Sequence, residues 1–288
     1  MLSSGQIVFV YTLTLTSLRT SVTKAPISLR FHQPEGFAEG CQPLPEDPFR
    51  LGRKESGVCQ LDRSRPNYNR VTSSCPDPTM RRGIKATFYV LARDIVEHQD
   101  VIEEMVRDGH MLGVHGTHHI HLKDENLTPS KVYAEVYGGW GIVSGLLGKM
   151  LRHYRSAFGV QDEFGILRQS NFSLDSWTID TADWKWIAEV DEMVEGATLY
   201  GARPLSKKEQ AKYVADRIVE RLDGVFAKIV APQGKMRFGP VHLQHDVHAP
   251  SVEALPLVLD HLRNMSLKYG FRFVRMDECT GVPESYEC

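Results

Sequence analysis

Two histidines four residues apart are the strongest chemical signal in the sequence. His115 and His119 lie in the stretch GHMLGVHGTHHIH, directly after a short apolar run that predicts a strand. On one helical turn, imidazoles at this spacing can reach a single Zn²⁺ ion at about 2.0–2.1 Å. His118 and His121 are geometric substitutes. From this stretch alone, a metal site and a solvated, histidine-rich loop are equally weighted interpretations.

A second group of candidate residues lies near the other end of the chain. The stretch VHLQHD is an apolar run that finishes in His245 and Asp246. A histidine at a strand end, with a carboxylate beside it to hold charge on the ring, is suited to act as a general acid or base. The alternative is a histidine that hydrogen-bonds to backbone groups at the edge of the core, and the pattern alone favours that alternative.

Between these two groups lie acidic, aromatic and basic candidates. Asp180 and Asp183, in IDTADW, could bind a metal, orient an arginine or cap the next helix, and capping aspartates are common in such loops. Trp184 offers an aromatic face to a sugar. Arg155 is interpreted by default as an exposed surface residue.

The composition limits the class of protein. The chain has 288 residues, 34 Lys and Arg against 36 Asp and Glu, and 42% hydrophobic residues. This length and apolar content suit one large globular domain or two small ones. The net charge of -2 gives no general electrostatic reason to bind nucleic acid or an anionic membrane. We therefore expect no nucleic-acid partner and no strong membrane association, and the oligomeric state stays open.

The elements that must position these residues are alternating strands and helices. From Gly83 onward, short β-rich runs alternate with amphipathic segments, and Asp100 with Glu103 and Ser206 with Glu209 predict capping boxes at two helix starts. Repeated βα units imply a largely parallel sheet, open or closed into a barrel, with chemistry at the carboxyl ends of the strands. Both histidine groups fall at such ends.

The regions outside this pattern are read separately. Residues 1–24 are interpreted as a signal peptide or anchor, with a buried or disordered N-terminal segment as the open alternative. Residues 25–82 form an irregular region containing Cys, Pro and Arg, residues 83–281 form the α/β domain, and residues 282–288 form a C-terminal tail.

The cysteines and glycosylation sequons indicate a secretory route. No CxxC spacing occurs, so disulfides between the two ends of the chain are favoured over a thiolate zinc site. The expected location is secreted or cell wall, and the protein is expected to be a glycoprotein. The five cysteines and the three sequon asparagines are Cys41, Cys59, Cys75, Cys279 and Cys288, and Asn126, Asn171 and Asn264.

Taken together, these motifs resemble the polysaccharide deacetylase family, also called the NodB-homology domain or carbohydrate esterase family four, over residues 83–281. Lys85–Val90 (KATFYV) is similar to the family's KATFFV strand, and Gly109–His119 is similar to its GHEIGNHT-x-x-H motif. Asp180–Trp184 matches the family's D-T-x-D-W motif, and Leu243–Asp246 is similar to its L-L-H-D motif. The order of the motifs along the chain also matches.

The resemblance implies roles for individual residues. His115 and His119 would be ligands of a divalent metal, with zinc as the expected ion. His245 would be the general acid, and Leu243 would lie beside the acetyl methyl group. Trp184 would line the sugar pocket.

One matched motif is incomplete. Tyr154–Gly159 is similar to the family's R-P-P-Y-G motif, but Ser156 and Ala157 replace the prolines, so only Arg155 and Gly159 carry over. The resemblance implies that Asp183 holds Arg155.

Another family motif is missing. Family members begin the domain with a strand ending T-F-D-D-G-P, in which the first Asp is the catalytic base and the second completes the metal site. The corresponding stretch here, Val71–Gly83, contains a single acid, Asp77. The expected fold is therefore an α/β, distorted and incomplete (β/α) barrel of the polysaccharide deacetylase type, with its first strand missing or replaced.

The function that the resemblance implies is hydrolysis of an amide other than a peptide bond. The expected enzyme is a metal-dependent deacetylase that cleaves the N-acetyl carbon–nitrogen bond of chitin or a related N-acetylglucosamine glycan. Loss of the base should lower its rate by about 10²–10⁴. Two alternatives stay open: a catalytically inactive relative that acts as a carbohydrate-binding module, and a structural βα domain whose histidines are incidental.

Overall fold

A parallel sheet forms the centre of the described structure, a computed structural model that covers residues 8–15, 83–95, 98–230 and 239–286. Its strands are β1 (Val8–Leu15), β2 (Thr87–Val90), β3 (Met111–Val114), β4 (His153–Tyr154), β5 (Ser173–Leu174), β6 (Ile179–Asp180), β7 (Val241–His245) and β8 (Arg272–Val274). The helices are α1 (Ala92–Ile95), α2 (Gln99–Arg107), α3 (Pro129–Tyr133), α4 (Gly139–Leu147), α5 (Ile166–Gln169), α6 (Asp183–Leu199), α7 (Lys207–Ile229), α8 (Ala249–Tyr269) and α9 (Met276–Thr280). A π-helix at Ala134–Gly138 joins α3 to α4.

The strand order is β5-β4-β3-β2-β1-β7-β6, and β8 pairs with the first half of β1. Every pairing between these strands is parallel, as βα repeats require. Strands β5 and β6 lie at the two edges, and no pairing in the described part of the chain joins them. The expected distorted, incomplete (β/α) barrel is therefore confirmed as an open α/β sheet.

Strand β1 occupies the place of the first strand that the sequence left unassigned. Its residues Thr12–Leu15 pair with β2, and Val10–Thr14 pair with β7. It lacks the T-F-D-D-G-P sequence, which agrees with the expectation of a first strand that is missing or replaced. This strand lies within residues 1–24, for which the sequence predicts a signal peptide or anchor, and that prediction stays a prediction. Alternating β-branched and aromatic residues in VFVYTLTL favour a strand.

The carboxyl end of β1 carries no acid. Thr14 pairs with His245 and Leu15 pairs with Val90, so β1 ends beside the strands that carry the candidate site. The last two residues of β1 are Thr14 and Leu15, so the described strand does not contain the Asp-Asp pair of the T-F-D-D-G-P motif. Asp77, in the stretch first considered for that motif, lies outside the described residues.

Of the two capping boxes predicted at helix starts, one is present and one is absent. At the start of α7, the Ser206 hydroxyl accepts from the backbone N–H of Glu209, and the Glu209 carboxylate accepts from the backbone N–H of Ser206 at 2.8 Å. The predicted box at Asp100 and Glu103 is wrong. Helix α2 begins at Gln99, so Asp100 already lies in its first turn and cannot cap it.

Helices α7 and α8 pack against each other and carry long apolar stripes. Val214, Ile218 and Leu222 follow a four-residue spacing on α7 and are fully buried. On α8, Leu255 and Leu259 repeat the same spacing. Such stripes bury one face of each helix and keep the ends of the strands in fixed positions.

The described part of the C-terminal tail pairs with the domain. The backbone N–H of Arg152 donates to the carbonyl of Glu284, and that of Tyr286 donates to Met150, both at 2.9 Å. Cys279 is half-buried, and the other four cysteines lie outside the described residues, so the predicted disulfides stay predictions. Within the described ranges, we find no helix with the length and hydropathy that a membrane span requires.

Candidate active site

A pocket of about 500 Å³ opens at the carboxyl ends of β3, β6 and β7. The sheet brings together here six of the seven residues that the sequence singled out, although they lie up to 130 positions apart in the chain. Its lining residues are His115, His119, Arg155, Ser156, Phe158, Trp177, Asp180, Trp184, Leu243, His245, Val247 and His248. The seventh predicted residue, Asp183, lies directly behind His245.

His115 is presented with one ring nitrogen held and the other open. Its backbone N–H extends the β3 ladder to Val90, and its ring Nδ1 lies 2.7 Å from the carbonyl oxygen of Arg155. The Nε2 atom is buried and has no hydrogen-bond partner among the described residues. Burial, with His119 nearby, holds the pKa of His115 well below its usual value, so the ring is neutral. A neutral imidazole fixed through Nδ1 is the form that ligates metals through Nε2.

His119 faces His115 across the loop that follows β3. The two ring centroids lie 4.9 Å apart, and burial lowers the pKa of His119 as well. The expected helical turn is absent from this loop, because His119 has a positive φ of 62° and Gly116 a φ of 91°. A left-handed turn, rather than helical spacing, brings the rings together.

The arrangement of these two rings fits part of a metal site. The orphaned Nε2 of His115 and the adjacent ring of His119 supply two ligands for a divalent cation. Among the described residues, no group of three or more His, Cys, Asp or Glu side chains is arranged to hold a metal ion. Catalytic zinc sites usually have three protein ligands, so the described pair is a more open site.

His245 and Asp183 form a hydrogen-bonded pair on the opposite wall. The His245 Nδ1 lies 2.8 Å from Asp183 Oδ1, and the backbone N–H of His245 donates to Asp183 Oδ2 at 2.8 Å. Ser251 donates to the same carboxylate at 2.7 Å. Burial alone would raise the pKa of Asp183, but these bonds and the charge of His245 lower it. The carboxylate therefore stays ionised and fixes the histidine with Nε2 toward the pocket.

Asp183, rather than Asp246, is the carboxylate that orients His245. Asp246 follows His245 directly, after the last residue of β7, and both oxygens of Asp183 are the ones bonded to His245. The Oδ1 of Asp246 is buried without a partner among the described residues, and burial raises the pKa of Asp246 well above the usual value. The sequence correctly selected a histidine with a carboxylate beside it but assigned the wrong carboxylate.

The expectation that Asp183 holds Arg155 is also wrong. Arg155 is buried, its Nε donates to the carbonyl of Asp175 at 3.3 Å, and its guanidinium lies 4.0 Å from the centre of the Tyr89 ring. The default interpretation of an exposed arginine fails for the same reason: β4 ends with Arg155 directed into the pocket. Both oxygens of the Asp183 carboxylate are instead bonded to His245, and Oδ2 also accepts from Ser251.

Behind Arg155 lies a buried polar network that the sequence analysis did not find. The Tyr89 hydroxyl donates to Asp175 at 2.7 Å, and the Nδ1 of His153 lies 2.7 Å from the same carboxylate. The Nε2 of His153 lies 2.9 Å from the carbonyl of Val282. This chain of bonds ties the cation–π partner of Arg155 to the C-terminal segment.

This network should make stability depend on pH. Burial of His153 alone lowers its pKa, but the hydrogen bond and charge of Asp175 outweigh burial and leave the pKa raised. A raised folded-state pKa contributes stability that is fully present below the unfolded value of about 6.5 and is lost as pH rises through the folded value. Wild type should therefore be more stable than His153→Gln at about pH 6, and this difference in the free energy of unfolding should decrease as the pH is raised to about 8. Urea unfolding at the two pH values measures this difference, and an equal difference at both would contradict it.

Aromatic side chains surround the mouth of the pocket. Trp184 is 55% exposed and Phe158 is 58% exposed, and both line the pocket. Phe158 has a positive φ of 57° and packs against His119 with ring centroids 4.7 Å apart. Leu243, on β7, is buried at the pocket wall. Exposed aromatic faces beside polar groups are suited to stack on sugar rings.

The sequence analysis missed several residues that support this site. Ser251, Asp175 and His153 act from behind the lining residues and lie outside the matched motifs, while Tyr89 lies in the KATFYV strand but carried no predicted role there. Glu135 was missed for another reason. It is a buried carboxylate, and charged side chains are almost never fully buried without a partner. A single acid in an otherwise apolar helical stretch is therefore the only signal in the sequence that could have indicated its role.

The sequence is similar to those of known deacetylases. The model of a family described as polysaccharide deacetylase matches residues 67–172. The peptidoglycan-N-acetylglucosamine deacetylase PgdA of Listeria monocytogenes is 22% identical over 211 residues, which is 73% of this chain and 36% of that protein. A peptidoglycan-N-acetylglucosamine deacetylase of Bacillus cereus is 23% identical over 245 residues, 83% of this chain and 76% of that protein. The chain thus spans about a third of the length of the Listeria relative.

Solved structures show the same fold. The chitin deacetylase from the fungal pathogen Colletotrichum lindemuthianum aligns with a TM-score of 0.52 and 20% identity, over 70% of this chain and 77% of that one. The chain is therefore similar in part of its sequence to the polysaccharide deacetylase family and shares the fold of solved deacetylases.

Proposed function

We propose that the protein is a metal-dependent deacetylase that hydrolyses the N-acetyl amide of chitin or a related N-acetylglucosamine glycan. The observation that carries the proposal is the placement of His115 and His119 on one wall of a single pocket and the His245–Asp183 pair on another. Two relatives are named as peptidoglycan-N-acetylglucosamine deacetylases, which supports an N-acetylglucosamine unit as the substrate group.

The chemistry of the pocket follows from its side chains. A divalent metal, with zinc as the expected ion, would be held by His115 and His119 and would polarise the amide carbonyl and activate water. The His245 Nε2 faces the pocket and can give a proton to the leaving amine, while Asp183 stabilises the protonated ring. Leu243 offers an apolar wall for the acetyl methyl group. Trp184 offers a stacking face for the sugar.

Turnover should be slow compared with a family member that carries both acids. Strand β1 ends in Thr14 and Leu15, so the described part of the strand supplies neither the base nor a third metal ligand. Within the described lining, Asp180 is the carboxylate at the pocket, and its Oδ1 already accepts from the backbone N–H of Ala182. Loss of a general base lowers a rate by about 10²–10⁴.

One experiment separates deacetylation from binding alone. The metal-free protein should bind about one Zn²⁺ ion per chain, at the facing pair His115 and His119. The zinc-loaded protein should release acetate from chitooligosaccharides. Calorimetry with the same sugars and metal, run beside the acetate assay, identifies binding without turnover. That result would contradict the deacetylase proposal and favour a carbohydrate-binding module. Acetate release without added or bound metal would contradict the metal dependence.

Replacing Trp184 by alanine should weaken substrate binding more than it slows the chemical step. The ring is more than half exposed at the pocket mouth, on the first turn of α6, and does not contribute to the core. Loss of a stacking face should raise KM for chitooligosaccharides about tenfold, or about 1.4 kcal/mol, with kcat changed less.

The matched control for this variant is Tyr200→Ala. Tyr200 is 85% exposed at the other end of α6 and does not line the pocket. Its removal should leave KM unchanged. An equal rise in KM for both variants would show that Trp184 acts through the helix and not through the sugar.

We also propose that the protein is secreted or located at the cell wall. The sequon residues Asn126, Asn171 and Asn264 are all exposed on the described surface, so each is accessible to a glycosyl group. Treatment of the protein from its native source with a peptide-N-glycosidase should lower its apparent mass. An unchanged mass would remove glycosylation as support for secretion.

A further inference from the structure

Three consecutive backbone N–H groups of the candidate metal loop converge on one buried carboxylate. The N–H groups of Thr117 and His119 each lie 3.0 Å from Glu135 Oε1, and that of His118 lies 2.8 Å from it. The second oxygen, Oε2, lies 3.2 Å from the ring Nδ1 of His118. Glu135 is only 4% exposed, so its contacts with these groups replace contacts with water.

The shape of the loop explains why it needs an acceptor there. Gly116 and His119 both have positive φ, so the chain between them forms neither a strand nor a helix. Successive N–H groups in such a turn point inward together and form a concave site for an anion. Glu135 fills that concavity from within the same chain. The Thr117 hydroxyl also donates to the Glu135 carbonyl at 2.9 Å.

The π-helix places the carboxylate at the required distance. Glu135 lies in the single π-helical segment of the described residues, and such segments arise where a helix is locally widened, often at functional sites. The loop and helix approach backbone to backbone, because a Cβ on Gly139 would lie 2.5 Å from the carbonyl carbon of Gly116. A Cβ on Gly116 would lie 2.7 Å from Glu135 Oε1. Glycine at both positions is therefore what allows the loop and the helix to approach this closely.

We propose that Glu135 is a positioning residue, which holds residues 116–119 in the left-handed turn and thereby faces the His119 ring toward the open Nε2 of His115. The inference rests on the proposed metal-binding role of the two histidines. Glu135 itself acts through the backbone of the loop, whose amides it binds, and so does not need to touch the metal or the substrate.

Hydrogen exchange of the metal-free protein tests the contact directly. In Glu135→Ala, the amides of Thr117, His118 and His119 should exchange about 10–100-fold faster, because they lose a charged, buried acceptor. Glu135→Gln keeps one oxygen at the three N–H groups and should restore most of the protection. Unchanged exchange in Glu135→Ala would overturn the proposal.

Calorimetric titration with Zn²⁺ tests the consequence. Loss of a group that orients metal ligands typically weakens affinity by about 10–100-fold, which we expect for Glu135→Ala, with a smaller loss for Glu135→Gln. An affinity equal to wild type in Glu135→Ala would overturn the positioning role. If Glu135→Ala does not fold, Glu135→Asp replaces it: its carboxylate is one methylene too short to reach all three N–H groups, so exchange should still rise.

The matched control is Asp162→Ala. Asp162 is likewise a buried carboxylate that accepts two backbone N–H groups, those of Ile166 and Leu167 at 2.8 Å each, but at the start of α5. Its removal should speed exchange at those two amides and leave zinc affinity unchanged. An equal loss of zinc affinity in this control would mean that general destabilisation explains the Glu135 result. If Glu135→Ala shows the expected changes in exchange and zinc affinity but the wild-type protein releases no acetate, the deacetylase proposal is contradicted and the role of Glu135 is not.

Discussion

Replacing His245 by alanine should lower the rate of acetate release by about 10²–10⁴ while leaving zinc affinity close to that of wild type. The side chain is a proton donor held in one orientation, and its Nδ1 is already committed to Asp183 at 2.8 Å. Its Nε2 is therefore the atom that can protonate a leaving amine. A poor leaving group such as an amine gains most from a positioned acid, so the loss should appear mainly in kcat.

Asp183→Asn should reproduce much of this loss without removing the imidazole. The asparagine keeps the shape, but its amide cannot stabilise a protonated ring, and it can hold the wrong tautomer. A drop in kcat of about 10²–10⁴ is expected, measured by acetate release across pH. Ser251→Ala, which removes one hydrogen bond to the same carboxylate, serves as the control and should have a much smaller effect. Full activity in His245→Ala would show that the acid has been wrongly assigned.

The sequence predicted the parts of the site that lie in contiguous motifs. His115 and His119, Leu243 and His245, and Asp183 with Trp184 each belong to a short stretch with its own spacing, and the parallel sheet brings the ends of those stretches together. Motifs of this kind are readable because a strand end and its following loop fix a side chain locally. The α/β class followed from the same alternation of strands and helices.

What the sequence did not predict depends on contacts between distant segments. Asp183 could bind either Arg155 or His245 on chemical grounds, and only the packing of α6 against β7 decides for His245. Strand β1 was not predicted, because an apolar, threonine-containing segment near the N-terminus has the same composition whether it is a leader or a strand. Its pairing with β2 and β7 across a long separation in sequence carries no local signal.

Replacing His115 by alanine should abolish zinc binding in the micromolar range. The described residues supply two ligands, so removal of one leaves a single imidazole, and the affinity should fall by more than the about 10–100-fold typical of a residue that only orients a ligand. Acetate release should fall with it. Calorimetric titration with Zn²⁺ measures the affinity, and the acetate assay under saturating zinc measures the rate.

The stability of the metal-free protein separates a lost ligand from a damaged fold. The Nδ1 bond of His115 to the Arg155 carbonyl also disappears in the variant, so some destabilisation is expected without metal. Zinc at about 100 times its dissociation constant should stabilise wild type by about 2.7 kcal/mol and should leave His115→Ala unchanged. His261→Ala is the control, because His261 on α8 pairs with Asp223 on α7 and does not line the pocket. The stabilisation of this variant by zinc should match that of wild type. An undiminished zinc response in His115→Ala would mean that the open Nε2 serves some purpose other than holding the metal, because a ligand that can be deleted without loss of affinity is not a ligand.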